Sequence, residues 1–328
     1  MAFETIYGHD TVKRRLLTTF ENDRIPSAYL FLGADGIGKE SLAREFAQLI
    51  NCDTSSICHT CDNCRMFDNG AFHDYHLIKP SGQNIRISQI HQLIERLSLK
   101  PAYAKKRVVY VKHAERLNQE SANSFLKILE EPPLDTLIVL STTDEGQLLE
   151  TILSRCQKIH FSPLSRDQLE RIVTENYDLN EEELEFVLNY AHGRIRKGFI
   201  NKVSELNVIR NQTLTMLLNL RTEKMCSFCD QVEKWGKKEG SLYFLEFCSA
   251  WVRDFICLLR GEGEKLINRD KLEELRRLEI RQTEERLHWW FDLIIETEMA
   301  IQSNAARQLA LEGLLIQLRQ VSHGTIVV

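Results

Sequence analysis

All six prolines of this 328-residue chain lie at or before Pro163, and the 165 residues that follow contain none. Proline lacks an N–H and breaks helix interiors. A long proline-free half rich in Leu, Glu and Arg therefore reads as helical. The proline-bearing half alternates instead. Ala28–Leu32, Arg107–Val111 and residues 136–140 are apolar runs of strand length bounded by polar or turn-forming residues, as buried parallel strands are. Helical patterns fall between them at 41–50 and 87–99. Strands alternating with helices give an α/β layer with a parallel sheet. The expected fold class is α/β followed by all-α.

Composition narrows the function classes. Hydrophobic residues make up 43% and charged residues 27%, an ordinary globular balance for two or three domains. The net charge of −5 offers no overall basic field for nucleic acid, so contact with DNA must be local or made by a partner. No run of about 18 apolar residues is present, so no membrane span is expected. The first residues, Met1 to Ile6, lack the basic and apolar regions of a secretory signal. Nine cysteines, an odd number, suit a reducing compartment better than a disulfide framework, and a cytoplasmic location is expected.

Beyond Pro163, residues 167–175, 181–191 and 195–203 read as three helices of a small unit, with His192-Gly193 as a stop. Further on, Phe244, Phe247, Cys248, Trp251, Val252, Phe255 and Leu259 recur at i, i+3, i+4, i+7 and i+8. That stripe reads as core packing. A subunit interface is the second reading, because Trp289-Trp290-Phe291 adds a bulky apolar patch.

The segment Gly33-Ala34-Asp35-Gly36-Ile37-Gly38-Lys39-Glu40-Ser41 stands directly after the first strand and opens a helix. Glycines let successive N–H groups turn toward a phosphate, and the lysine adds a point charge. ATP or ADP could bind through Gly33, Gly36, Gly38, Lys39 and Ser41. The motif wants Ser or Thr after the lysine to hold Mg²⁺, and Glu40 stands there; Ser41 lies about 100° further round the helix. The second nucleotide motif is a hydrophobic strand ending in a metal-binding Asp. Here 108–111 ends in Lys112-His113. With both metal-handling positions changed, hydrolysis is expected to be absent or very slow.

Cys52, Cys58, Cys61 and Cys64 form C-x5-C-x2-C-x2-C. Zinc takes four thiolates in a tetrahedron, and C-x2-C lets two ligands from one turn reach it, so structural Zn²⁺ is expected. Cys226 and Cys229 form another C-x2-C with no second pair nearby and read as core cysteines. Arg155, in a polar Ser-Arg-Cys turn, reads either as a surface salt bridge or as a projecting functional group.

Taken in order, Ile6-Tyr7-Gly8-His9, the phosphate loop, the four cysteines, His73-Asp74, the run Ser121 to Pro133 (S-A-N-S-F-L-K-I-L-E-E-P-P) and Thr151-Ile152-Leu153-Ser154-Arg155-Cys156 resemble the clamp-loader family of bacterial DNA polymerase III, a group of AAA+ proteins. Trp251-Val252-Arg253-Asp254 and the segment from Asn304 to Glu312 are similar more weakly, to the delta-prime branch. The resemblance implies an AAA+ P-loop domain with a zinc module over 1–163 (the module at about 52–64), a helical lid over 164–205, and a helical collar for oligomerisation over 206–328. It implies a largely non-hydrolysing delta-prime subunit, without ATPase activity of its own, inside a DNA-directed DNA polymerase complex. Its partners would be delta and gamma/tau subunits in a heteropentamer, with the sliding clamp and primed DNA met through that complex during replication. Arg155 would be an arginine finger acting in trans, Thr142 or Thr143 the first nucleotide sensor, and Arg196 near the second. The alternatives are an active gamma/tau-like ATPase with Glu40 or Glu115 holding the metal, and a free-standing zinc protein that binds DNA, which the charge of −5 disfavours.

Overall fold

The computed structural model describes residues 3–54, 56–220, 222, 232, 238–279 and 283–322. Cys226 and Cys229 lie outside the described residues. The chain divides into two compact units. The first comprises Met1–Asp178 with Ala191–Arg196, the second Leu179–Tyr190 with Lys197–Val328.

In the first unit the chain runs α1 (Asp10–Glu21), β1 (Ala28–Leu32), α2 (Lys39–Asn51), α3 (Asp62–Asp68), β2 (Tyr75–Ile78), α4 (Ile87–Ser98), β3 (Arg107–Val111), α5 (Gln119–Glu130), β4 (Thr136–Thr142), α6 (Glu150–Leu153), β5 (Gln157–His160) and α7 (Arg166–Asn176). The five strands form one parallel sheet in the order β2-β3-β4-β1-β5. Successive side chains of a strand point to opposite faces, and β1 shows the division. Tyr29 and Phe31 join the core that covers α1, α2 and α3, whereas Ala28, Leu30 and Leu32 join the one that covers α4, α5 and α6. Every residue of β1, β3 and β4 is buried, which explains the unbroken apolar runs.

The second unit is helical: α8 (Glu181–Tyr190), α9 (Lys197–Ile200), α10 (Val203–Asn219), α11 (Lys238–Leu259), α12 (Leu272–Glu279), α13 (Glu284–Gln302) and α14 (Arg307–Ser322). The stripe residues Phe244, Phe247, Cys248, Trp251, Val252 and Phe255 are buried, as is Trp290, so the aromatic patch serves at least partly as core. Asp254 is also fully buried, and its carboxylate accepts from the Ile267 and Asn268 backbone N–H groups (2.9 and 2.8 Å) and from Asn268 Nδ2 (2.8 Å). Asn268 Oδ1 in turn accepts from the Tyr190 hydroxyl at 2.8 Å. Trp251 Nε1 donates to the Arg210 carbonyl at 3.1 Å.

The single helix expected at 195–203 is instead broken into α9 and the start of α10. The Ile195 N–H leaves the helical path to donate to Gly36 O at 2.8 Å, and Lys202 takes a non-helical conformation (φ −120°) ahead of α10. No helix among the described residues is long and apolar enough to cross a membrane.

Candidate nucleotide and metal sites

The carboxyl ends of three adjacent strands converge. The glycine loop follows β1, Lys112-His113 follows β3, and Thr142 closes β4, which is where α/β sheets place ligands. The loop is held in a phosphate-loop form by positive φ at Gly33 (+148°), Gly36 (+77°) and Gly38 (+99°). Gly36 is glycine for a second reason. A Cβ there would sit far inside contact distance of the Ile195 backbone carbonyl. The stretch Gly193-Arg194-Ile195-Arg196, which carries the half-buried Arg196, thus lies directly against the loop.

Lys39 is buried, and its ammonium turns back onto the loop, donating to the Gly33 and Ala34 carbonyls. Burial holds its pKa below the usual lysine value, with the Asp35 carboxylate at 3.9 Å acting in the opposite direction. Ser41 is exposed on the first turn of α2. Thr142 is buried, with its hydroxyl donating to Asp144 O (2.9 Å), and Thr143 is exposed.

The two departures at the metal-handling positions meet. Lys112 Nζ donates to Glu40 Oε2 at 2.9 Å, an ion pair between residues 72 apart in sequence. An ammonium paired to the only carboxylate at the Ser/Thr position leaves Mg²⁺ nothing to bind there and repels it. Glu115, another carboxylate near the loop, is engaged on one side. One of its oxygens faces His113 Nδ1 at 3.1 Å, and the other is buried without a hydrogen-bond partner. The Glu40–Lys112 pair does not fit Mg²⁺ at the two motif positions.

The four cysteines converge. Their Sγ atoms all lie within 4.8 Å of one another, with Cys52–Cys58 at 3.5 Å and Cys58–Cys64 at 3.9 Å. Thiolates about 2.3 Å from a tetrahedral metal stand roughly 3.8 Å apart, whereas a disulfide requires about 2.05 Å. The set fits a metal and leaves no open coordination position. Local structure builds it: Cys61 caps α3, its Sγ accepting the Cys64 N–H at 3.4 Å, and the Cys61 N–H points to Cys58 Sγ at 3.3 Å. Hydrogen bonding, first from the Thr60 side chain, holds the Cys58 thiol down to about 5, while burial pushes Cys64 up to about 12. Cys156, Cys248 and Cys257 are buried free thiols and belong to no candidate metal cluster among the described residues.

Arg155 follows α6. Its guanidinium makes the surface ion pair that the sequence allowed, to Glu130 Oε1 at 2.7 Å, and also donates to Thr151 O at 2.9 Å. Sequence reasoning quoted Glu130 only inside a motif. The signal was its place: a carboxylate at the C-terminus of α5 opposes the helix dipole and calls for a cation.

Comparison with known proteins gives a consistent outcome. A family described as "DNA polymerase III, delta subunit" matches residues 8–165, and one described as "DNA polymerase III, delta subunit, C terminal" matches residues 204–320. DNA polymerase III subunit delta' of Bacillus subtilis is 28% identical over 94% of this chain and 95% of its own length. DNA polymerase III subunit tau of Escherichia coli is 34% identical, but over 59% of this chain and 31% of its own length. A crystal structure of a DNA polymerase III gamma subunit-related protein from Thermotoga maritima superposes with a TM-score of 0.46 at 19% identity, covering 94% of this chain and 99% of that one.

Proposed function

Because the chain belongs to the delta-subunit family of the DNA polymerase III clamp loader, we propose that it acts as a delta-prime-type subunit. In this reading it is a non-hydrolysing AAA+ member that helps load the sliding clamp onto primed DNA. The whole-length match to a delta' protein, against partial matches to tau, favours this over an active gamma/tau-like ATPase. The observation that carries it is the Glu40–Lys112 ion pair, a cation–carboxylate contact where a hydrolysing site needs a metal.

The chain would work by geometry. Residues 1–163 would form the phosphate-loop domain, 164–205 the lid, and 206–328 the collar that joins delta and gamma/tau subunits in a heteropentamer. Cys52, Cys58, Cys61 and Cys64 would hold one structural Zn²⁺, which fixes the 52–64 segment. Gly33, Gly36, Gly38, Lys39, Ser41, Thr142, Thr143 and Arg196 would form a degenerate nucleotide site that holds ATP or ADP without cleaving it. The location would be cytoplasmic.

Arg155 is the residue through which such a subunit would touch chemistry. Placed on an exposed turn, it would reach the γ-phosphate bound by the neighbouring subunit and stabilise charge there. Fingers of this kind supply on the order of 10³–10⁵ in rate in other nucleotidases. The test is DNA-stimulated ATP hydrolysis by reconstituted complexes carrying wild-type, Arg155→Ala or Arg155→Lys chains. A partial fall is expected, since one of several sites is affected, and lysine should rescue poorly because it lacks the planar fork. Equal rates for all three would refute the finger.

A further inference from the structure

We propose that Glu130 is a positioning residue for Arg155, holding the guanidinium so that its remaining N–H donors stay available for the neighbour's phosphate. The inference rests on the trans-acting role of Arg155 argued above and adds a second residue to it.

Three contacts orient the guanidinium. Nη1 donates to Thr151 O at 2.9 Å and faces Ser154 Oγ at 3.4 Å, both on its own segment. Nη2 donates to Glu130 Oε1 at 2.7 Å, and this contact alone comes from a different element. An arginine carries five N–H donors. These contacts use three, and among the described residues the Nε–H and one Nη2–H have no hydrogen-bond partner. Those two donors stay available for the oxygens of a phosphate. The finger can therefore grip phosphate without first releasing Glu130.

The two partners are delivered rigidly. Glu130 is the last residue of α5, which stops at Glu131 before Pro132-Pro133. Directly before it, Ile128 and Leu129 are buried in the same core as Ile152 and Cys156, which flank Arg155. The carboxylate and the guanidinium thus project from elements locked to each other. Without Glu130, a long and flexible side chain at the surface would sample many rotamers, and only a fraction would face the neighbouring site. The pair is partly exposed, 34% at Arg155 and 50% at Glu130, so its contribution to folding is small. Its effect is on geometry, and misplacing a catalytic group by about 1 Å can cost up to 10²-fold at that site.

The experiment uses reconstituted clamp-loader complexes with wild-type, Glu130→Ala, Glu130→Gln, Arg155→Ala and Glu130→Ala/Arg155→Ala chains, assayed for DNA-stimulated ATP hydrolysis. Thermal melting of each chain should be unchanged. Glu130→Ala should lower kcat on the order of twofold for the whole ring at constant KM, since one site of several is misaligned. Glu130→Gln, which keeps an acceptor oxygen, should recover most of the loss. In the Arg155→Ala background, Glu130→Ala should add nothing, because its effect passes through the guanidinium. If Arg155→Ala lowers the rate and Glu130→Ala does not, or if the two losses add, the positioning role is overturned while the finger stands. If Arg155→Ala itself changes nothing, both fall.

Discussion

Replacing Gly36 with alanine tests whether the phosphate loop is built as one piece with residues 193–196. Alanine at φ +77° is in the left-handed region, at about 1–2 kcal/mol. The new methyl would collide with the Ile195 backbone carbonyl, which cannot rotate away as a side chain would. The forced shift strains or breaks the 2.8 Å hydrogen bond from the Ile195 N–H to Gly36 O, about 1 kcal/mol more. Gly70 is the internal control. Its φ of +68° is nearly the same, and a Cβ there meets nothing within 4 Å. Gly70→Ala should therefore cost about 1 kcal/mol, the backbone term alone, and Gly36→Ala about 3 kcal/mol. For a unit of this size, that is roughly 2–4 °C against 6–12 °C in Tm. Calorimetry gives the shifts, and amide hydrogen exchange at Ile195 gives the local reading, with protection lost only in Gly36→Ala. Equal melting shifts in the two variants would refute the close packing.

Metal analysis of protein purified without chelator should find about one zinc per chain, and Cys61→Ser/Cys64→Ser should abolish it; full retention would exclude the four-cysteine site. The isolated chain should show no ATP hydrolysis above background, and turnover near 1 s⁻¹ abolished by Lys39→Ala would overturn the reading of the Glu40–Lys112 pair. Asp254→Ala should destabilise the second unit by about 3 kcal/mol or more, because three donors are stranded in its core. Urea unfolding followed by tryptophan fluorescence measures this, and a loss below about 1 kcal/mol would show that those donors have other partners.

The parts legible in the sequence were those whose physics is local. The three central strands announced themselves because each is buried on both faces, which favours an apolar run through the middle of each and leaves polar residues to the ends. The two missed strands, Tyr75–Ile78 and Gln157–His160, are the sheet edges. Exposed and half-exposed residues such as Gln157, His76 and Lys158 are tolerated there and erase the pattern. The four cysteines were legible because thirteen residues of chain carry all four at metal-ligand spacing. Glu40 and Lys112 were each legible as a departure, but their pairing was not, since no local rule links positions 72 apart. That pairing changes their meaning. Read separately, each is a defect in a nucleotide site; in contact, they form one half-exposed ion pair in which each meets an opposite charge. Reverting one alone would strand the other, whereas exchanging both, Glu40→Thr with Lys112→Asp, restores the chemical types a metal requires. The pair joins the end of β3 to the first turn of α2, and a change that restored metal handling would have to act on both residues together.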